Sequence, residues 1–309
     1  MFMYPVSEDE CLNVANASLK PNKAAGYDEF KPSIIKHVLP YILKPLTHIV
    51  NLSFKTGVFP NKLKTAKVLP VFKKGDPQAF ENYRPISLLS CFAKIIERLM
   101  FNRVHDFLEA FHILCKGQYG FRPKHSTELA LADALDKLCT SLDDNNISMG
   151  VFLDLSKAFD TIDHSILLAK LETYGIRGNV LEWFNSYISN RSQYTYYKGM
   201  KSSLKDICCG VPQGSILGPL LFIIYMNDIY FVSDKADIIL FADDTNIFFK
   251  HKSADLLYDT ASIELSKICN WFSANKLSLN ISKTNYVNFG NSRTSQQDRY
   301  VSINGITIK

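Results

Sequence analysis

The stretch ISMGVFLDL, residues 147–155, alternates with a period of two. Val151, Leu153 and Leu155 fall on one side, Phe152 and Asp154 on the other. That pattern predicts a strand packed on a core, with Asp154 near its end. A second stretch, DIILFADDTNIFF (237–249), reads as two apolar strands joined by a tight turn, with Asp243 and Asp244 at the tip. Aspartate is a poor strand former and is costly to bury. One aspartate in a turn needs only turn chemistry to explain it. Three at the tips of hydrophobic strands ask for more. If they converge, each pair repels by ~1 kcal/mol in water and ~4 kcal/mol at an effective dielectric of 20. A divalent cation would turn that penalty into binding, and hard oxygen ligands select magnesium, with manganese as the alternative ion.

Outward from these strands, helices and extended segments interleave without a strict βαβ rhythm, which predicts an α+β fold. Ser126 is placed to cap a helix carrying Thr127, Ala130, Leu131, Ala134, Leu135 and Leu138, and Phe92, Ile95, Ile96, Leu99 and Phe107 outline another. Helices are expected at about 163–173 and 179–190, then a pair of strands between Gln193 and Cys209, an apolar helix over 215–227 and a helix near 253–273. Toward the start, Ser7 and Glu10 fit a capping box, and TAKVLPVF (65–72) looks extended. Helical spacing runs from Pro32 to Phe54, where Pro40 and Pro45 should kink or split the helix.

The 309 residues are 47% hydrophobic and 21% charged, which fits a folded chain and excludes a disordered one. The longest apolar run, Ile216 to Met226, is too short to span a bilayer and contains Gly218 and Pro219. No membrane partner is expected. MFMYPVSEDE at the N-terminus has no basic lead into an apolar stretch, so secretion is not expected. Seven cysteines without a CxxC pair give no zinc or disulfide framework and favour a reducing, intracellular compartment. A net charge of +5 permits a polyanionic partner without demanding one.

Seven segments together carry a resemblance. They are KAAGYDEFKPSIIK, NYRPISLLSCFAKIIERL, QYGFRPKHST, VFLDLSKAFDTIDH, GVPQGSILGPLLFIIYMNDI, FADDTNIFF and KLSLNISKTNYV, in that order. In these the chain resembles the reverse transcriptase of non-LTR (LINE-type) retrotransposons, most like the jockey or chicken-repeat-type elements of animals. The resemblance implies a right-hand polymerase core. N-terminal extension helices would occupy 1–60, fingers 61–150 and a ferredoxin-like palm with an Asp-Asp hairpin 151–309. The chain would stop before the primer grip, with the thumb absent. Helices within 163–190 would pack on the palm.

By the same resemblance, Asp154 and Asp243 bind two catalytic magnesium ions, with Asp244 as supporting ligand and the Leu155 carbonyl as a further oxygen. The two carboxylates should then lie about 5 Å apart or less. The reaction implied is attack of a primer 3′-hydroxyl on the α-phosphate of a deoxynucleoside triphosphate, copied from an RNA template onto a DNA primer. The nucleus is the expected site of action. Phe159 matches a steric gate against the ribose 2′-hydroxyl, although periodicity alone reads it as a core residue. Gln213 and Gly214, in GVPQGS, line the nucleotide and template side. Lys94 and Arg122 are triphosphate or template contacts, and Lys283 aids pyrophosphate departure. Two other classes fit less well: a group II intron maturase, which would carry RPLGIP-like wording in place of RPISLLS, and a non-catalytic remnant or domesticated RNA-binding protein.

Overall fold

A computed structural model describes residues 1–290, 300–303 and 306–308 of the chain. In chain order the elements are α1 (Glu8–Ser18), α2 (Pro32–Thr56), β1 (Thr65–Phe72), β2 (Tyr83–Leu88), α3 (Cys91–Ala110), α4 (Thr127–Asp143) and β3 (Ile147–Leu153). There follow α5 (His164–Thr173), α6 (Asn179–Ile188), β4 (Arg191–Tyr197), β5 (Met200–Lys201), β6 (Lys205–Ile207) and α7 (Leu217–Met226). Then come β7 (Asp237–Phe241), β8 (Asp244–His251), α8 (Ala254–Ala274), β9 (Asn285–Phe289), β10 (Ser302–Ile303) and β11 (Ile306–Thr307). The architecture is mixed α and β. Two compact units emerge, one from Met1–Ile113 and Ile162–Ile224, the other from Leu114–Thr161 and Tyr225–Lys309. The ranges 61–150 and 151–309 expected for fingers and palm each run through both units. Residues 291–299, 304, 305 and 309 of the second range lie outside the described residues.

In the first unit the strands run β2-β1-β4-β5, with β6 on β4. β1 and β4 are parallel and the remaining pairs antiparallel. Ser7 accepts the Glu10 N–H as the expected cap of α1, and Glu10 pairs with Arg103 of α3 at 2.6 Å. α2 stays one helix through Pro40 and Pro45. Each proline removes a backbone donor, but Ile35, Leu39, Leu46, Val50 and Phe54 give it a buried stripe along its whole length. α5 and α6 belong to this unit and not to the one holding Asp154, where the sequence placed them. Trp183 of α6 explains the difference: its fully buried indole meets Phe54 and Phe59 edge to face and stacks on Tyr187.

The second unit is an antiparallel sheet in the order β7-β8-β3-β9. α4 covers one face: Ala130, Ala134 and Leu138, spaced by four, pack against Phe152, Ile239 and Phe248. The alternation then turns Val151, Leu153, Ile247 and Phe249 to the opposite, equally buried face. α8 packs there with its own stripe of Leu257, Ala261, Leu265 and Ile268. Ser126 caps α4 by accepting the Leu129 N–H, as its sequence predicts.

Candidate active site

Strand register brings the second unit's carboxylates together. Leu153 of β3 stands opposite Thr245 of β8. Asp154 follows the first and Asp244 precedes the second, so an antiparallel pair sets them across from each other at one sheet end. Alternation puts Phe152 and Asp154 on the same face as Asp244 and Asn246. These four line an open cleft of about 340 Å³ with Thr127, Ala130, Leu153, Phe241 and Lys283. Eighty-nine residues separate Asp154 from Asp243 (243 − 154) in the sequence, and the β3–β8 ladder spans that gap.

The turn between β7 and β8 consists of Ala242 and Asp243, with Phe241 paired to Asp244. Ala242 adopts φ 56°, a left-handed conformation that costs an alanine roughly 1 kcal/mol. A neighbouring segment holds it. The Tyr119 N–H donates to the Leu240 carbonyl at 2.8 Å, and the Leu240 N–H to the Gly117 carbonyl at 2.7 Å. Gly120 lies so close that a Cβ there would stand 2.1 Å from the Ala242 nitrogen. Gln118, buried between these two glycines, was not singled out in the sequence. The glycines on either side of it were the available signal, since both mark close backbone approach.

Lys283 arrives from the far end of the unit. The Asn280 N–H donates to the Asp154 carbonyl at 2.8 Å, and Ser156 donates to Ser278 at 2.9 Å. A short turn of 3-10 helix, Ile281–Lys283, follows. It leaves Lys283 Nζ 3.3 Å from Asp154 Oδ2, with the lysine side chain 63% exposed. That exposure makes the pair worth little to stability.

Loss of water around Asp244 pushes its carboxyl above the ordinary aspartate value, and the charges of Asp243 and Asp154 push it further. Among the described residues no three histidine, cysteine, aspartate or glutamate side chains stand close enough to hold a metal ion as placed. The donor set is nonetheless all hard oxygen, the kind magnesium takes. The repulsion felt at Asp244 is the charge a divalent cation would relieve. Asp243 sits in the turn and is not among the residues lining the cleft. Leu155, buried, bridges Leu279 in an antiparallel step.

The remaining sequence candidates divide between the units. Phe159 of the second unit is half buried and meets Phe121 edge to face at 5.9 Å. Arg122 turns toward its own loop, donating to the Cys115 carbonyl at 3.1 Å and the Gln118 carbonyl at 3.4 Å. Lys94, Gln213 and Gly214 lie in the first unit. There the Gln213 carbonyl accepts the Ser87 N–H at 2.7 Å, and Gly214, at φ 121°, passes so near that a Cβ would lie 2.5 Å from the Ser87 oxygen. Lys94 is half buried in the first turns of α3.

In the same unit Glu97, fully buried, accepts the Ile216 N–H at 2.6 Å and the Tyr187 hydroxyl at 3.1 Å. It ties the loop after GVPQG to α6. Burial raises its carboxyl, while the Ile216 N–H and then the Arg191 charge pull it back down. The sequence reading passed over Glu97. Its position on the buried stripe Ala93, Glu97, Met100, Val104 was the signal that could have found it.

Residues 71–308 match the family described as reverse transcriptase (RNA-dependent DNA polymerase). The chain is 31% identical to the RNA-directed DNA polymerase from mobile element jockey of Drosophila melanogaster, over 98% of this chain and 34% of that protein. It is 30% identical to a probable RNA-directed DNA polymerase from transposon BS of the same fly, over 91% and 32%. It is 27% identical to the Pol polyprotein of the type-1 retrotransposable element R2 of Popillia japonica, over 77% and 34%. The chain spans about a third of the length of the curated relatives it matches.

Proposed function

We propose, from the premise that this chain belongs to the reverse transcriptase (RNA-dependent DNA polymerase) family, that its second unit is a palm. The β7–β8 turn would be its Asp-Asp hairpin, and the cleft beside it the site of nucleotide addition to a primer 3′-hydroxyl. One observation supports this above the others: the β3–β8 register sets Asp154 across from Asp244 with Asp243 adjacent. Carboxylates placed in mutual repulsion at a solvent-open sheet end do nothing for stability.

In this reading Asp154, Asp243 and Asp244, with the Leu155 carbonyl, would hold two magnesium ions, which when bound supply charge neutralisation and activation of the attacking oxygen. The chain's own residues do the rest. The β3–β8 ladder fixes the spacing of the carboxylates before substrate arrives, which is where positional catalysis draws its rate. Lys283 Nζ neutralises phosphate oxygen charge and gives a proton to departing pyrophosphate. The N-terminal turn of α4, represented in the cleft by Thr127, offers the positive end of a helix dipole to an anion. Phe159 excludes a ribose 2′-hydroxyl. For Lys94, Arg122, Gln213 and Gly214 we propose parts in binding nucleotide or template.

RNA template, DNA primer and deoxynucleoside triphosphates are then the partners. The test is primer extension by the purified chain on poly(rA)/oligo(dT) with magnesium. Incorporation of dTMP that depends on Asp154 supports the reading. Tight binding of primer-template without incorporation, at any divalent ion, would favour a non-catalytic RNA-binding protein.

A further inference from the structure

We infer that Gln118 is a positioning residue for the Asp243 turn, an inference that rests on the polymerase reading above for its catalytic consequence. The residue is 1% exposed. Oε1 accepts the Gly120 N–H at 2.7 Å and the Ala242 N–H at 3.1 Å. Both partners are donors, so the atom facing them must be the amide oxygen, and the side chain can sit only one way round. Nε2 is buried and, among the described residues, finds no hydrogen-bond partner. A buried glutamine with an unused donor is a costly way to fill space, and an aliphatic residue would do that better. What an aliphatic residue cannot do is hold two backbone N–H groups from two different segments on one oxygen.

One of those N–H groups belongs to Ala242, which is kept in a left-handed conformation that alanine resists. The next residue is Asp243. The turn could relax by rotating Ala242 out of that conformation, which would swing the Asp243 carboxylate away from the sheet end. Gln118 opposes this by fixing the Ala242 N–H to the 117–120 segment, itself laddered onto Leu240. Gly120 makes the approach feasible, because any larger residue would strike the Ala242 backbone. Gln118 touches no reacting atom and acts through Asp243.

The test uses the full chain and two independent readouts. Hydrogen–deuterium exchange, without metal or nucleic acid, should show the Ala242 and Gly120 amides exchanging at least ~10-fold faster in Gln118→Met, with β3 amides unchanged. In single-nucleotide primer extension, Gln118→Met should lower kcat by roughly 10- to 100-fold and leave the nucleotide KM within about threefold. Gln118→Glu keeps an acceptor oxygen in place and should restore slow exchange and most of kcat. Unchanged exchange at Ala242 overturns the proposal, and so does an undiminished kcat despite faster exchange. A wild-type chain that extends no primer would sink the polymerase reading and leave the positioning claim to stand or fall on exchange alone. If Gln118→Met does not fold, Gly120→Ala displaces the same turn by pushing on the Ala242 nitrogen, and a normal kcat there overturns the proposal.

Discussion

Glu97 in the first unit and Asp244 in the second are both carboxylates that hold their protons more tightly than usual, yet they do so for opposite reasons. Around Glu97 the cause is burial, and everything that touches it works to bring the charge back: the Ile216 N–H, Arg191 and Tyr187. Around Asp244 loss of water is followed by two like charges, Asp243 and Asp154, which make matters worse. Arg191, 1% exposed, lies 5.0 Å from the Tyr187 ring and donates to the Tyr187 carbonyl at 3.0 Å. Its Nε and Nη2 find no hydrogen-bond partner among the described residues. The first cluster is an interior network whose members depend on one another. The second is a surface cluster whose members repel, and its strain is left for something else to relieve. The two carboxyls thus differ in the sign of the charges that act on them, Arg191 on Glu97 and the two aspartates on Asp244.

Substitutions should separate the two clusters. The largest effect is expected at the strand ends: Asp154→Asn or Asp243→Asn should lower nucleotide addition by on the order of 10³-fold or more. Thermal melting should meanwhile move by no more than about 1 °C. A comparable loss of stability would erase the contrast. Next is Glu97→Ala, which leaves Arg191 buried without its counter-charge and should cost on the order of 3 kcal/mol in denaturant unfolding. A near-neutral result would mean the interior cluster is not a network.

Phe159→Val should weaken discrimination against ribonucleotides by about 10- to 100-fold in competing primer-extension reactions. Unfolding instead would return Phe159 to the core. The smallest effect belongs to Asp244→Asn, measured without divalent ions. Because the folded state raises this carboxyl, it binds more protons than the unfolded chain between the ordinary value and the raised one. Stability therefore falls as pH climbs through that window and stays lowered at neutral pH. The asparagine variant should melt about 1 °C higher at pH 7, with the gain vanishing below the ordinary value of 3.8. No gain at pH 7 would show that the repulsion is already screened.

Much of the second unit was legible because period-two alternation in ISMGVFLDL and in DIILFADDTNIFF is local, and a ladder's register follows from such patterns. That Asp154 and Asp244 share a face could be counted from Phe152 and Asn246. Glu97 was hidden for the converse reason. It is a charged residue beside Arg98, and only the stripe of Ala93, Met100 and Val104 reveals that it points inward. Gln118 was hidden because its role is long-range: its oxygen joins residues 120 and 242. The grouping of α5 and α6 with the N-terminal part of the chain was equally out of reach. It rests on Trp183 meeting Phe54 and Phe59, a contact that no local period encodes.

The split composition of the second unit has a consequence for synthesis. Asp154 leaves the ribosome 129 residues (283 − 154) before Lys283, and the intervening stretch from Ile162 to Ile224 belongs to the other unit. At ~5–20 residues per second β3, complete at Leu153, waits roughly 5 to 20 s for β8 to end at His251 and roughly 7 to 27 s for β9 to end at Phe289. A nascent chain that halts after Asp154 and before residue 243 is born with only one of the three aspartates. Until then β3 is an apolar strand with both edges unpaired, open to wrong partners and to chaperones.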